Sequence, residues 1–144
     1  MLDMISIFIL SYIVRYSRQR ETIEQIVNST NSHPTAEWVF NKTKEKIPNI
    51  SLGTVYRNLK VLADLGKISI FSDGNVTRYD WNTSVHDHLK CKECDDLIDV
   101  QLVNDNFISK IKKKFNFNAD SVEITVIGTC NKHLEPRSKF NVRQ

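Results

Sequence analysis

Two pairs of sulfur and nitrogen side chains have the spacing of metal ligands. Cys91 and Cys94 are separated by two residues, and Cys130 stands three residues before His133. Two thiolates on a tight turn form half of a structural zinc site, and the second pair would complete a tetrahedral Cys3His set. The residues also allow a reversible disulfide between Cys91 and Cys94, with Cys130 as a small buried apolar residue. The sequence around the pair lacks a thioredoxin-like βαβ pattern, which favours zinc.

A second group of potential ligands consists of imidazoles and carboxylates. His86 and His88 alternate on a segment that we expect to be extended, which would place both rings on one side of the chain. Asp80 and Asp99 bracket this pair, and His33 lies far upstream. Single carboxylates are mostly surface residues, so composition alone does not select either aspartate.

The composition is that of an ordinary globular protein. The chain has 144 residues, of which 40% are hydrophobic and 26% charged, and its formal net charge is +3. This length suits one large or two small domains with a buried core. The small positive charge permits a nucleic-acid partner without arguing for one. Three cysteines are too few for a disulfide scaffold.

The N-terminal run is unusually apolar. Of the fourteen residues from Met1 to Val14, all but Asp3 and two serines are hydrophobic or Tyr. The run is shorter than the ~18 residues that a membrane span needs. A secretory signal would carry positive charge before it, where only Asp3 stands. We therefore expect a cytoplasmic protein, with either a buried first helix or a misplaced start codon here.

Hydrophobic periodicity predicts three helices followed by a β-hairpin. Apolar residues at helical spacing predict a first helix within 20–27 and a second helix with Pro34 in its first turn. They also predict a third helix that is capped by Ser51 and ends at Gly66. Residues 67–79 alternate around the turn Asp73-Gly74-Asn75, which predicts two short strands. This order of elements is that of a winged helix-turn-helix domain.

A smaller α/β domain is predicted after the hairpin. Residues 97–102 and 122–127 are rich in β-branched residues and predict strands, and Phe107, Ile108 and Ile111 mark a short helix between them. The open strand edges would be covered by a second copy of the chain, which predicts a homodimer. The expected fold class is α+β, with a winged helix-turn-helix domain at 1–79, a hinge at 80–85 and an α/β dimerisation and metal-binding domain at 86–144.

The third predicted helix carries side chains that suit the DNA major groove. An Arg side chain reads guanine and an Asn side chain reads adenine, while a helix N-terminus binds phosphate. Every amphipathic helix has a polar face, so the helix alone does not establish DNA binding. A wing that could reach the minor groove or the DNA backbone strengthens the DNA-binding hypothesis. The candidate DNA contacts are Ser51, Thr54, Arg57 and Asn58 on the helix, and Asn75 and Arg78 in the wing.

Several motifs in this order resemble those of the ferric uptake regulator (Fur) superfamily. They are Arg15-Tyr-Ser-Arg-Gln-Arg20, His33-Pro-Thr-Ala-Glu37, Ser51-Leu-Gly-Thr-Val-Tyr-Arg-Asn-Leu59 and His86-Asp-His-Leu-Lys-Cys-Lys-Glu-Cys94. The similarity spans residues 15–133. The superfamily consists of dimeric, metal-responsive, winged-helix transcription regulators. The resemblance therefore implies a metal-dependent DNA-binding repressor rather than an enzyme, with Arg15, Arg20 and Tyr56 as further DNA contacts.

The resemblance also assigns metal ligands. The positions that match the regulatory Fe(II) or Mn(II) site of the peroxide-sensing (PerR) branch are His33, Asp80, His86, His88 and Asp99. Asp99 is the discriminating position, because iron-sensing members usually carry Glu there. The resemblance thus implies peroxide sensing through oxidation of His ligands, with a metal-availability regulator of iron, manganese or zinc uptake as the alternative.

The structural zinc site and a possible third site follow from the same resemblance. Cys91, Cys94 and Cys130 match the zinc ligands, and His133 replaces the family's usual fourth Cys. Asn106 and Val122 stand where some members bind a third ion with Glu and His, so no third site is expected.

Two other classes of protein stay open on the residues alone. A metalloenzyme would need an open coordination position and a cleft with a general base, and the sequence offers no further acid–base cluster. A C-x-x-C redox module would need a depressed thiol pKa. Lys90 and Lys92 would favour that, while Glu93, Asp95 and Asp96 oppose it.

Overall fold

A computed structural model describes residues 17–134, which belong to two units. The first unit ends at Thr83 and the second begins at Ser84. Arg15 and the apolar N-terminal run, for which the sequence predicted a DNA contact and a buried helix, lie outside the described residues. Within residues 17–134, none of the helices is long and apolar enough to cross a bilayer.

The first unit opens with three helices: α1 (Arg18–Asn28), α2 (Ala36–Lys46) and α3 (Leu52–Asp64). Each begins at a polar N-cap whose side-chain oxygen accepts a hydrogen bond from a backbone N–H three residues on; these caps are Ser17, Thr35 and Ser51. Such caps satisfy N–H groups that have no partner inside the helix. Gly66, with φ of +68°, follows α3 in the left-handed conformation that the sequence predicted.

Pro34 departs from its predicted place. The sequence placed it in the first turn of α2, but that helix begins at Ala36 after the cap Thr35. The carbonyl of Pro34 instead accepts a 2.9 Å hydrogen bond from the backbone N–H of Tyr79. The segment before α2 is therefore held by a neighbouring strand, which delays the start of the helix.

The core of the first unit lies where the three helices meet. Its fully buried side chains are Ile23, Val27, Val39, Val55, Leu59 and Leu62, all with no exposed surface. Full burial of one such side chain stabilises the fold by about 1.5–3 kcal/mol. The core thereby fixes the orientation of α3, whose opposite face is left in solvent.

A two-stranded wing completes this unit. Strand β1 (Ser69–Asp73) pairs with β2 (Val76–Asp80) in antiparallel register, with Asp73 opposite Val76. The connecting loop has two residues, Gly74 and Asn75, and Gly74 has the positive φ of +62° that a tight hairpin turn requires. The predicted winged helix-turn-helix arrangement is confirmed.

The second unit is a three-stranded mixed sheet with one helix. Strand β3 (Asp87–Cys91) lies between β4 (Leu97–Val100) and β5 (Thr125–Gly128), antiparallel to the first and parallel to the second. Helix α4 (Asp105–Phe115) lies in the crossover that a parallel pair needs. The α+β class is confirmed, and the segment predicted only as extended around His86 and His88 supplies the central strand.

Both predicted flanking strands are shorter than expected, and Asp87 is the reason. Its carboxylate accepts hydrogen bonds from the backbone N–H groups of Leu102, Val103 and Ile124 at 2.8, 2.9 and 3.0 Å. These groups bond to a side chain instead of a neighbouring strand. The strand predicted at 97–102 therefore ends at Val100, and the strand predicted at 122–127 begins only at Thr125, although it continues one residue further, to Gly128.

Candidate metal centres and DNA-binding face

The cysteine cluster forms where β3 and β5 end side by side. Their parallel register places Cys91 opposite Gly128, and the N–H of Lys92 donates to the carbonyl of Gly128 at 2.8 Å. Cys94 follows on the turn after β3, and Cys130 lies just past β5. The pairing of β3 with β5, which are distant in sequence, thus brings both predicted ligand pairs to one end of the sheet.

The four side chains have the geometry of a zinc site. The Sγ atoms of Cys94 and Cys130 are 3.9 Å apart, and the Sγ of Cys130 is 3.1 Å from Nδ1 of His133. One ligand atom from each of the four residues, Cys91 included, lies within 4.8 Å of the others. A tetrahedron with Zn–S bonds of 2.3 Å has sulfurs about 3.8 Å apart. The three cysteines are free thiols, so the donor set fits Zn²⁺ rather than a disulfide.

The thiols of Cys91 and Cys94 differ in pKa. The backbone N–H of Cys130 donates to the sulfur of Cys91 at 3.4 Å, and with further N–H donors it lowers the pKa of Cys91 to about 6. At Cys94 the N–H of Asp96 acts in the same direction, but burial and the neighbouring sulfurs outweigh it and raise the pKa to about 11. Cys91 therefore loses its proton before Cys94 does, and a cation would displace the proton that Cys94 retains.

A second cluster lies on the opposite part of β3, within the second unit. The register of β3 and β4 places His88 opposite Asp99. The Oδ1 of Asp99 is 3.4 Å from Nε2 of His86 and 3.8 Å from Nε2 of His88, and the two Nε2 atoms are 3.1 Å apart. Nδ1 of His86 lies 2.6 Å from the carbonyl of Ser84. A proton on Nδ1 would leave Nε2 as the metal-binding nitrogen, an arrangement common in metal sites.

Asp87, between the two histidines, points the other way. It is 1% exposed, and the N–H of Val103, followed by those of Leu102 and Ile124, holds the pKa of its carboxyl below the ordinary value despite burial. The strand alternation that directs His86 and His88 to one side directs Asp87 to the other. It ties β3 to the chain on both sides of α4 and so fixes the strand that carries the histidines.

The first unit contains the other two predicted ligands as a pair. Nε2 of His33 lies 3.3 Å from Oδ2 of Asp80, and both residues are buried, with exposures of 2% and 4%. The other oxygen of Asp80 accepts the backbone N–H of Asn82 at 2.8 Å. His33 has a φ of +52°, in the left-handed region that non-glycine residues seldom occupy. Backbone strain of this kind is characteristic of functional sites.

The outer face of α3 presents polar groups at its N-terminal end. The hydroxyls of Ser51 and Thr54 are 2.9 Å apart, and a guanidinium nitrogen of Arg57 donates to the Thr54 hydroxyl at 3.2 Å. Arg57, Tyr56 and the wing residue Asn75 are exposed. Their exposure leaves these side chains accessible to a ligand, and their contact with DNA stays a prediction.

Two of the predicted DNA contacts, Asn58 and Arg78, are placed differently from the expectation. Asn58, expected on the outer face, is 8% exposed, and its amide donates to the carbonyl of Thr54 at 2.9 Å. The guanidinium of Arg78, expected to reach DNA from the wing, is directed at Asp73 and the carbonyl of His33. Arg20 is half-buried on α1. Asn58 and Arg78 therefore form hydrogen bonds within the first unit.

Two residues with positioning roles were missed by the sequence analysis. Asp87 stands in the motif from His86 to Cys94, but nothing in the sequence shows which acidic side chain is buried. Glu37, at the start of α2, accepts a hydrogen bond from Tyr56. The position of Glu37 in the His33-Pro-Thr-Ala-Glu37 motif could have indicated a role. Its hydrogen-bond partner Tyr56 lies 19 residues away along the chain, so the motif does not show the contact.

Known proteins match the chain in sequence and in fold. Residues 12–127 match the model of the ferric uptake regulator family. The chain is 31% identical over 119 residues to the peroxide-responsive repressor PerR of Staphylococcus aureus, covering 81% of this chain and 80% of that protein. The Helicobacter pylori ferric uptake regulator has a TM-score of 0.77 at 23% identity, covering 93% of this chain and 91% of that one. The Campylobacter jejuni peroxide stress regulator has a TM-score of 0.67 at 21% identity, covering 92% and 100%.

Proposed function

This chain belongs to the ferric uptake regulator family, and we propose that it is a DNA-binding repressor that responds to peroxide through a regulatory metal ion. Regulators of this family bind operator DNA, form dimers and are not enzymes. The proposed setting is the cytoplasm, with a homodimer on duplex DNA and peroxide as the small molecule sensed.

We propose that the regulatory ion takes ligands from both units. The donors are His33 and Asp80 from the first unit and His86, His88 and Asp99 from the second. Three imidazoles and two carboxylates suit Fe(II) or Mn(II), while the thiolate-rich Cys3His set suits structural Zn²⁺. The pairing of ligands within each unit supports this assignment, since each half is assembled by its own fold. An ion that ties the units together would set the separation of two recognition helices in a dimer, about 34 Å for half-sites one DNA turn apart.

The observation that carries the peroxide assignment is Asp99, at the position that distinguishes the peroxide-sensing branch, together with the 31% identity to a peroxide-responsive repressor. Fe(II) bound by these residues would supply the redox chemistry that cleaves the O–O bond of peroxide beside its ligands, and the two electrons of the net reaction would come from the imidazole. In the net reaction one oxygen of H₂O₂ enters a C–H bond of an imidazole and the other leaves as water. We propose His33 and His86 as the side chains oxidised. Because an oxidised imidazole is a weaker ligand, the two units separate and DNA affinity falls.

Mass spectrometry after peroxide treatment tests this function. The protein is loaded in parallel with Fe(II) and with Mn(II), treated with peroxide and digested. We expect one added oxygen atom on the peptide that contains His33 or His86 in the Fe(II) form only, together with loss of operator binding. The Mn(II) form is the matched control, because Mn(II) does not readily reduce peroxide.

A regulator of metal availability is the second candidate, since the same five ligands would serve it unchanged. Absence of the oxygen adduct, with operator binding retained under peroxide, would reject peroxide sensing and leave this candidate. Operator binding that follows the concentration of one metal would then identify the metal sensed. Metal and DNA affinities should be coupled reciprocally in either case.

A further inference from the structure

Arg78 connects the His33 loop with the tip of the wing. Its Nε donates to Oδ2 of Asp73 at 3.0 Å, and its Nη1 donates to the carbonyl oxygen of His33 at 3.3 Å. The side chains of Arg78 and Asp73 are only 16% and 8% exposed. One guanidinium, sheltered from water, is thus shared by two segments that are 40 residues apart along the chain in numbering.

On one side, Arg78 belongs to the structure that holds the metal-ligand pair of the first unit. Thr35 forms an isolated antiparallel bridge with Arg78, and the N–H of Tyr79 donates to the carbonyl of Pro34 at 2.9 Å. The segment that contains His33 therefore lies along β2, the strand that ends with Asp80. Arg78 and Asp80 are two residues apart on this strand, so their side chains share a face.

On the other side, Arg78 reaches the residue from which the wing turns. Asp73 ends β1 and directly precedes the loop of Gly74 and Asn75. Contacts from the planar guanidinium to a carboxylate and to a carbonyl in different directions need the fork of donors that Arg has and Lys lacks. A displacement of the His33 carbonyl therefore acts, through one rigid group, on the carboxylate at the base of the loop.

We propose that Arg78 is a positioning residue that couples the regulatory metal to the wing. A cation that binds between His33 and Asp80 fixes the His33 carbonyl, Arg78 passes this order to Asp73, and the loop with Asn75 is held in one orientation toward DNA. The inference rests on the proposed regulatory metal site and, for its effect on operator binding, on the proposed metal-dependent DNA binding. The residues that link His33 to the wing all lie in the first unit, so their response to metal can be measured without DNA.

The experiment uses the full-length, zinc-loaded protein with Mn(II) as the probe metal. Three variants are compared with the parent: Arg78→Lys, which keeps the charge; Asp73→Asn, which changes only the wing side; and Thr77→Ala, an exposed neighbour on the same strand, as control. Circular dichroism establishes that each variant is folded. Amide hydrogen exchange at Gly74 and Asn75 is measured with and without Mn(II), in the absence of DNA.

We expect Mn(II) to slow exchange at the loop in the parent protein and in Thr77→Ala. The slowing should be lost in Arg78→Lys and in Asp73→Asn, while Asp73→Asn keeps the parent's Mn(II) affinity. The same slowing in all four proteins would overturn the coupling. This outcome is independent of DNA, so it separates the inference from the proposed function, which fails if Mn(II) does not strengthen operator binding by the parent.

Operator binding provides the second readout. Allosteric coupling typically changes affinity 5- to 150-fold. We expect the ratio of operator affinities with and without Mn(II) to be at least about fivefold smaller in Arg78→Lys than in the parent protein. If Arg78 were only a brace for the hairpin, operator affinity would fall equally with and without Mn(II). An unchanged ratio of the two affinities in Arg78→Lys would therefore reject the positioning role.

Discussion

The hydroxyl of Tyr56 donates a 2.8 Å hydrogen bond to a carboxylate oxygen of Glu37. The bond joins the recognition helix α3 to the first turn of α2, and both side chains are exposed. It lowers the pKa of Glu37 and raises the pKa of Tyr56, because the bond favours the charged carboxylate and the neutral phenol. The ring of Tyr56 is thereby held in one orientation on the face proposed to contact DNA.

This pair predicts how substitutions at the two positions affect operator binding. Tyr56→Phe and Glu37→Ala remove the same hydrogen bond, so each should weaken binding slightly and the double variant no further. Tyr56→Ala also removes the ring and should weaken binding much more, provided that the ring contacts a thymine methyl group. Gel-shift titrations with thymine and with deoxyuridine operators measure both effects. Equal losses for Tyr56→Phe and Tyr56→Ala would assign the contact to the hydroxyl instead.

The same bond predicts a small pH dependence of stability. The folded-state pKa of Glu37 lies below its ordinary value of 4.5. Its contribution to the free energy of unfolding is therefore complete above pH 4.5 and disappears as the pH falls through the lower folded value. Because the pair is exposed, solvent screening keeps the effect small. Urea unfolding of the parent and of Tyr56→Phe should differ at neutral pH and converge in acid; a constant difference would contradict the assignment.

Arg57 is predicted to contact a DNA base from the outer face of α3. Arg57→Ala should weaken specific binding by about 1–3 kcal/mol if the guanidinium forms a bidentate base contact, and should leave the dimer intact. Lys60→Ala is the control on the same helix, because Lys60 forms only an exposed ion pair with Asp64. Gel shifts and analytical ultracentrifugation measure the two properties. Unchanged operator affinity in Arg57→Ala would remove this residue from the interface.

The zinc site is predicted to hold the second unit together. Cys94→Ser should lose zinc and the dimer at once, because the binding free energy of a structural ion is folding free energy. Elemental analysis with size-exclusion chromatography measures both. A Cys94→Ser protein with stoichiometric zinc and an intact dimer is incompatible with this account. His133→Ala tests the unusual ligand by itself: retained zinc would show that water or another group completes the tetrahedron.

The sequence by itself determined the features that depend on near neighbours. The caps Ser51 and Gly66, the two-residue wing turn and the Cys91–Cys94 spacing each involve residues within a few positions of one another. Hydrogen bonds and φ preferences at such places are local, so the sequence predicted the winged helix and the ligand pairs. The motifs added the family and the proposed metal-binding roles of His33, Asp80 and Asp99.

Only the tertiary structure decided which polar groups are buried and which distant groups meet. Asn58 lies about 60° from Val55 around α3, by the helical repeat. The packing of α3 buries this side chain, and its amide donates a hydrogen bond to the carbonyl of Thr54. Arg78 donates hydrogen bonds to Asp73 and to the carbonyl of His33, and Asp87 accepts hydrogen bonds from three backbone N–H groups. A buried polar group must find a hydrogen-bond partner, and the register of strands far apart in sequence determines which partner is within reach.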